Sequence, residues 1–176
     1  MERARVNLVR FTGAHVPALV EMTGDRDVQR HTRTPIPVPT DFGASWLARY
    51  EQGRRHGTRE AFAIVDSDSQ AFLGIAVAPR IDRNAKEAEL GYVVAPAARG
   101  RGVATEALRL LTEWAFAELG AMRLELLIGV ENEASKRVAA RCGYVKEGVL
   151  RSLYFKQDLR EDTEIWSRLP SDPDPG

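Results

Sequence analysis

Cysteine is almost absent. Cys142 stands alone among 176 residues, which excludes an intramolecular disulfide and a cysteine-based zinc site. A reducing, cytoplasmic setting is the simplest expectation. The 3 histidines, His15, His31 and His56, fall at no spacing that common metal motifs use, so no metal site is expected. Net charge is lacking as well, because 25 Lys plus Arg balance 25 Asp plus Glu. No chain-wide field favours nucleic acid or a membrane surface, and attraction for an anion has to be local. Nowhere does the chain run for about 18 uncharged apolar residues, and no apolar h-region follows its start, so neither a membrane span nor a secretory leader is expected. Repeats and linkers are missing too. One domain over residues 1–170 is expected, burying roughly two-thirds of its unfolded surface. The tail 171–176, Ser-Asp-Pro-Asp-Pro-Gly, has nothing to bury and is expected to be disordered.

What the sequence does contain is a succession of periodic segments. Val6–Phe11 alternates apolar and polar side chains as a half-buried strand does. Thr12 can cap a short helix carrying Val16, Leu19, Val20 and Met22 near one face, and Asp25–His31 is expected to add a helical turn or two. Three alternating prolines in Thr34-Pro35-Ile36-Pro37-Val38-Pro39 remove donors and hold their neighbours extended, which makes this segment a stiff loop. From Thr40 or Asp41 to about Arg55 the pattern predicts a helix with Phe42, Trp46, Leu47 and Tyr50 inward. Strands at 61–65, 72–77 and 87–94 form an antiparallel meander. Val103–Leu119 is the strongest helix, with Ala104, Ala107, Leu108, Leu111, Ala115 and Leu119 at helical spacing and Gly120 as its stop. Arg123–Val130 reads as a buried strand, parallel to the Leu90 strand because a helix connects the two. A short helix over Glu133–Arg141 follows, with Asn132 placed to cap it. Val145–Tyr154 and Glu164–Leu169 then pair as a closing hairpin.

The chain is organised around the stretch Glu87–Gly148, whose centre is the junction Val93-Val94-Ala95-Pro96-Ala97-Ala98-Arg99-Gly100-Arg101-Gly102-Val103-Ala104-Thr105. A strand enters a loop with two glycines and leaves as a helix, whose first-turn N–H groups lack intrahelical partners and carry the positive end of the helix dipole. An anion belongs there. Gly100 and Gly102 let the backbone approach a pyrophosphate closely, and Arg99 and Arg101 add positive charge. A plain tight turn is the alternative reading of two glycines. The spacing is neither G-x-x-x-x-G-K-[ST] nor G-x-G-x-x-G, since no Lys follows the second glycine and Thr105 stands where a third would be.

Arg99-Gly100-Arg101-Gly102-Val103-Ala104 matches R/Q-x-x-G-x-G/A, the acetyl-coenzyme A pyrophosphate loop of the GNAT family of N-acetyltransferases. Ala88-Glu89-Leu90-Gly91-Tyr92 precedes it, Thr105-Glu106-Ala107-Leu108 follows, and Asn132-Glu133-Ala134-Ser135 and Cys142-Gly143-Tyr144-Val145 through Arg151 come downstream. This ordered set resembles the RimJ/RimL-type subgroup, which acetylates amino termini of ribosomal proteins. The resemblance implies an α/β (α+β) fold with a mixed, largely antiparallel seven-stranded sheet and helices on both faces. It also implies acetyl-CoA as cosubstrate and direct transfer to a primary amine, without a covalent enzyme intermediate and without a metal. A protein or peptide amino terminus is the expected acceptor; the alternatives are a small amine such as an aminoglycoside or polyamine, or a non-catalytic acyl-CoA-binding sensor. No nucleic acid or membrane partner is expected, and the chain is expected to be a monomer or homodimer.

The same resemblance assigns residues. The Leu90 and Leu126 strands splay apart, and the main chain of Tyr92, Val93 and Val94 receives the pantetheine arm, with Val94 or its neighbour donating an N–H to the thioester oxygen. Arg99, Gly100, Arg101, Gly102, Val103, Ala104 and Thr105 hold the diphosphate, and Asn132 contacts the pantetheine or caps its helix. Glu89 is the candidate general base; Glu87 shares its strand face and competes, and both fit a solvated face equally. As the proton donor to sulfur, Ser135 matches N-x-x-S, whereas Tyr144 sits where other members place a tyrosine but also where a core aromatic usually stands. Ser135 is preferred. Cys142 has no histidine partner and reads as a buried thiol, not a nucleophile. The proline loop either lines the acceptor side of the cleft or is a plain connector.

Overall fold

The computed structural model describes residues 4–175. Seven strands form one sheet: β1 (Val6–Arg10), β2 (Glu60–Asp66), β3 (Phe72–Asp82), β4 (Glu87–Val94), β5 (Arg123–Gly129), β6 (Val145–Lys156) and β7 (Leu159–Arg168). Their spatial order is β1-β2-β3-β4-β5-β7-β6. Every neighbouring pair is antiparallel except β4 and β5. That exception follows from connectivity: the helix α4 (Val103–Glu118) carries the chain back across the sheet, so the next strand runs in the same direction.

Two apolar layers cover the sheet. On one face α4 buries Val103, Ala107, Leu108, Leu111 and Ala115, a stripe at helical spacing, against Leu90, Leu124, Leu126 and Ile128. Helix α5 (Glu133–Arg141) joins this layer through Ala139, followed by Cys142 and Tyr144. The opposite face takes α1 (Val16–Met22) and α3 (Phe42–His56). There Trp46 of α3 stacks against Phe11 and Tyr50, with ring centroids 4.8 and 4.3 Å apart, over Ala61, Ala63, Val65 and Ile75. Each such aromatic contributes burial plus an oriented ring contact of about 0.5–1.5 kcal/mol. A further short helix, α2 (Arg26–His31), is capped by the Asp25 side chain.

The closing hairpin is longer than the alternation pattern predicts. β6 and β7 reach Lys156 and Leu159 and turn through Gln157 and Asp158, both with positive φ (50° and 62°), as a two-residue primed turn requires. Neither residue is the Asn-Gly or Gly pair that announces such a turn. Much of the hairpin is also solvated on both faces, which removes the alternation. At the other end, residues 170–175 form no helix or strand, yet Asp172 accepts from the Leu169 amide at 2.8 Å and Asp174 pairs with Arg168 at 3.1 Å. Residues 1–3 and the last tail residue, 176, lie outside the described residues.

Candidate active site

β4 and β5 pair only through Glu87 with Arg123, Ala88 with Leu124 and Glu89 with Glu125. Beyond that point each strand keeps its outer neighbour but not the other: β4 stays on β3 as far as Val94, and β5 stays on β7 as far as Gly129. The result is a V-shaped gap in the sheet with unpaired main chain along both arms. The Ala95 amide donates to the Leu73 carbonyl at 2.8 Å. Because strand amides alternate in direction, the Val94 amide points the opposite way, into the gap. Side chains alternate likewise. Tyr92 and Val94 pack in the α4 layer and Val93 in the α3 layer, so the two mouths of the gap have different chemistry.

The wide end of the β4 arm leads into the glycine loop. Pro96–Ala98 forms a single 3₁₀ turn, and Gly100 and Gly102 both take left-handed φ values of 73° and 79°. A Cβ on Gly100 would meet nothing within 4 Å, so the glycine is there for backbone conformation and an open approach. Gly102 is the N-cap of α4 and offers no side-chain cap. The first intrahelical bond runs from the Glu106 amide to the Gly102 carbonyl at 3.1 Å, which leaves the Val103, Ala104 and Thr105 amides without helical acceptors. A diphosphate fits these groups. The two arginines differ: Arg101 is exposed, whereas Arg99 is held by Asp25 at 2.6 Å and Asp27 at 3.2 Å, and the Arg99 guanidinium keeps the Asp25 carboxyl below its ordinary range. Arg99 thus ties the loop to α2, a role that sequence spacing does not reveal because the partners are 74 and 72 positions apart.

The α4-side mouth holds the α5 residues. Asn132 uses its side-chain oxygen to accept from the Ser135 amide at 3.1 Å, the capping role, and its NH₂ group is chemically separate. Tyr92 points its hydroxyl into this region, buried and without a hydrogen-bond partner; Ser135 lies beside it, and burial pushes the phenol up to about 12. The Tyr92 hydroxyl and Ser135 are thus neighbouring polar groups at this mouth. Tyr144, by contrast, is engaged inside the core with the Thr112 hydroxyl at 2.7 Å and is 3% exposed. Cys142 is buried, its thiol pushed up to about 11 by desolvation, the opposite of an activated nucleophile.

On the α3-side mouth sits a group of charges at the branch point. Arg80 donates to Glu87 at 2.8 Å and to Glu125 at 2.9 Å. Arg123 pairs with Glu125 at 2.9 Å and Glu147 at 2.7 Å. Glu89 is the loosely held member, 3.9 Å from Arg80. Desolvation raises its carboxyl above the ordinary value, with Arg80 and Arg33 opposing. Glu87 and Glu89, equivalent by alternation, are therefore distinguished by their partners: one is locked in an ion pair and the other is a partly buried carboxylate with free accepting capacity. Spacing missed Arg80 and Glu125, which border this mouth, and Arg33, whose charge acts on Glu89, and no local signal marks them. Among the described residues no group of His, Cys, Asp and Glu is arranged to hold a metal ion, and no helix is long and apolar enough to cross a membrane.

Comparison with known proteins places this geometry. An N-acetyltransferase of Bacillus subtilis called YoaA, itself uncharacterized, is 28% identical over 95% of this chain and 94% of its own. The ribosomal-protein-serine acetyltransferase of Escherichia coli is 29% identical over 65% of this chain and 63% of its own. Among solved structures, the spermidine N-acetyltransferase of Vibrio cholerae, in complex with CoA and spermine, superposes with a TM-score of 0.84 at 19% identity, covering 97% of this chain and 98% of that one. The family model described as "Acetyltransferase (GNAT) domain" matches residues 5–145, from β1 to the first residue of β6, and the chain belongs to the GNAT family of acetyl-CoA-dependent N-acetyltransferases.

Proposed function

We propose that this acetyltransferase passes the acetyl group directly to the primary amine of a protein or peptide amino terminus, with Glu89 as general base. One observation carries the reading: the gap between β4 and β5 opens toward the α4 and α5 layer on one side and toward Glu89 on the other. Acetyl-CoA, when bound, supplies an activated acyl carbon and a thiolate leaving group. The Val103, Ala104 and Thr105 amides and the left-handed backbone at Gly100 and Gly102 bind its diphosphate. The Val94 amide, directed into the gap, hydrogen-bonds the acyl oxygen and stabilises the charge that develops there. Glu89 accepts a proton from the incoming ammonium, and its desolvation brings its basicity closer to the operating pH. Ser135, with the Tyr92 hydroxyl beside it, donates a proton toward the departing sulfur.

A small polyamine is the second reading, and the spermidine acetyltransferases among the relatives favour it. Against it stands the charge at the acceptor side: Arg80 and Arg123 are paired with Glu87, Glu125 and Glu147 and Arg33 adds a third cation beside Glu89, which offsets most of the acidic surface a polycation needs. Thiol release from acetyl-CoA across a panel of alanine- and serine-starting peptides, spermidine and an aminoglycoside tests the choice. Turnover of at least one peptide above the small amines is expected, and faster turnover of spermidine than of every peptide overturns it.

A further inference from the structure

The loop after α2 carries a cation that the family motifs do not mention. Arg33 is exposed, and its guanidinium lies over the Tyr154 ring at 5.5 Å from the centroid. Its flanks are fixed. The Thr32 carbonyl accepts from the Tyr154 hydroxyl at 2.5 Å and from Lys156 Nζ at 2.9 Å. The Thr32 hydroxyl donates to the Val28 carbonyl at 2.6 Å and accepts from the Thr34 amide at 3.2 Å. Thr34 is itself buried. Arg33 thus projects from a backbone tied to both α2 and the β6–β7 hairpin, and its guanidinium lies over an aromatic face.

Its place relative to the chemistry follows from α2, which spans the open end of the gap through Asp25 on Arg99 beyond the β4 arm and Arg30 on Glu131 beyond the β5 arm, while sheet register gives the face. Tyr154 is opposite Glu161. Glu161, Thr163, Ile165 and Ser167 share one face of β7, and Ser167 is opposite Glu125, itself opposite Glu89. Tyr154 and Glu89 therefore stand on the same face, and the Arg33 charge bears on both of them. The other arginines around the gap are committed: Arg30 to Glu131, Arg80 to Glu87 and Glu125, Arg99 to Asp25, Arg123 to Glu147. Among the described residues Arg33 has no carboxylate within the 4.0 Å that defines an ion pair. A guanidinium stacked on a ring keeps its edge N–H groups free, and those groups match a carboxylate in bidentate fashion.

We infer that Arg33 reads an anionic group beside the acceptor amine, so that the enzyme prefers peptide amino termini in which an aspartate or glutamate follows the first residue. This rests on the peptide acceptor proposed above and specifies it. An amine held at Glu89 places the second side chain outward, toward the α2 and hairpin wall where Arg33 stands. A lysine in that position meets a like charge, as does the far end of a polyamine.

Three peptides identical except for Asp, Asn or Lys at the second position test it, in acetyl-CoA thiol release and in calorimetric binding to the protein saturated with coenzyme A. The expected result is an Asp-over-Asn preference of about fivefold to tenfold, expressed in KM and in the binding constant. Arg33→Gln collapses that ratio to about one, and Arg33→Lys restores part of it. Equal binding of the Asp and Asn peptides to the unaltered protein, or an unchanged ratio in Arg33→Gln, overturns the inference. Turnover of the Asn peptide reports separately on whether peptides are acceptors at all. The binding ratio decides the role of Arg33 even where turnover is absent.

Discussion

Glu89 and Glu125 face each other across the last paired position of β4 and β5, and Arg80 reaches both, at 3.9 and 2.9 Å. Two carboxylates opposed at the point where a sheet splits need a cation between them, and the arrangement leaves one of the two, Glu89, only partly compensated. That residual imbalance is the ground for the role proposed for Glu89 and sets the first expectation.

Glu89→Gln should lower kcat by at least about tenfold, the lower range for losing a general base, and leave the acetyl-CoA dissociation constant within about twofold. Its raised carboxyl also fixes a sign. In the unaltered enzyme the acid limb of kcat/KM should lie above the ordinary carboxylate value of 4.5, because a general base works only once deprotonated. The limb should vanish in the glutamine variant. A fully active Glu89→Gln, or a variant with the limb intact, moves the base elsewhere.

Gly100→Ala and Gly102→Ala separate conformation from packing. Neither added Cβ meets an atom closer than 3.9 Å, so any cost arises from the positive φ, about 1 kcal/mol for each and a few degrees or less in Tm. Acetyl-CoA affinity should fall more than stability does, by about tenfold or more, since the amides at the start of α4 are misdirected. Calorimetry and thermal unfolding of the same samples check this. Unchanged affinity for both variants would falsify the diphosphate role of the loop.

Tyr144→Phe and Ser135→Ala should part company. Removing the Tyr144 hydroxyl leaves Thr112 buried without its partner, which costs about 1–3 kcal/mol of stability, while turnover stays within about twofold. Ser135→Ala should keep stability and lower kcat. Denaturant titration with steady-state kinetics on both variants decides it, and a collapse of kcat in Tyr144→Phe would return the proton-donor role to the tyrosine.

Glu147 is held down to about 2 by Arg123 and the Ser167 hydroxyl, from an ordinary 4.5. A folded-state value below the unfolded one means that the pair stabilises the protein above pH ~4.5 and that this contribution disappears as pH falls toward ~2. The side chain is 41% exposed, so Glu147→Gln should cost no more than about 1 kcal/mol at pH 7. Urea unfolding of the two proteins should give curves that converge below pH ~4.5; a constant gap down to pH 2 would deny the ion pair its role.

Most of the fold was legible because the signals are local. The α4 stripe, the prolines of 34–39 and Asp25 ahead of α2 each act within a few residues, and the elements appear where those signals put them. The closing hairpin was expected, but its outer end between Tyr154 and Glu164 escaped because its charged, two-sided exposure carries no period and its Gln157-Asp158 turn lacks glycine. Within the candidate site, the sequence drew attention to Gly100 and Gly102, and both adopt the left-handed backbone that only glycine takes freely.

The sequence by itself determined the family, the order of strands and helices, and the junction at which an anion can be held, since repeating side-chain patterns and glycine conformations are written in adjacent residues. Tertiary structure alone decided that Arg99 serves α2 through Asp25 and Asp27, that Glu87 is locked while Glu89 is loosely held, and that Arg33 meets Tyr154. Those choices depend on charges and rings brought together from distant parts of the chain, and Coulomb and stacking energies are set by separation in space, which spacing along the chain does not encode.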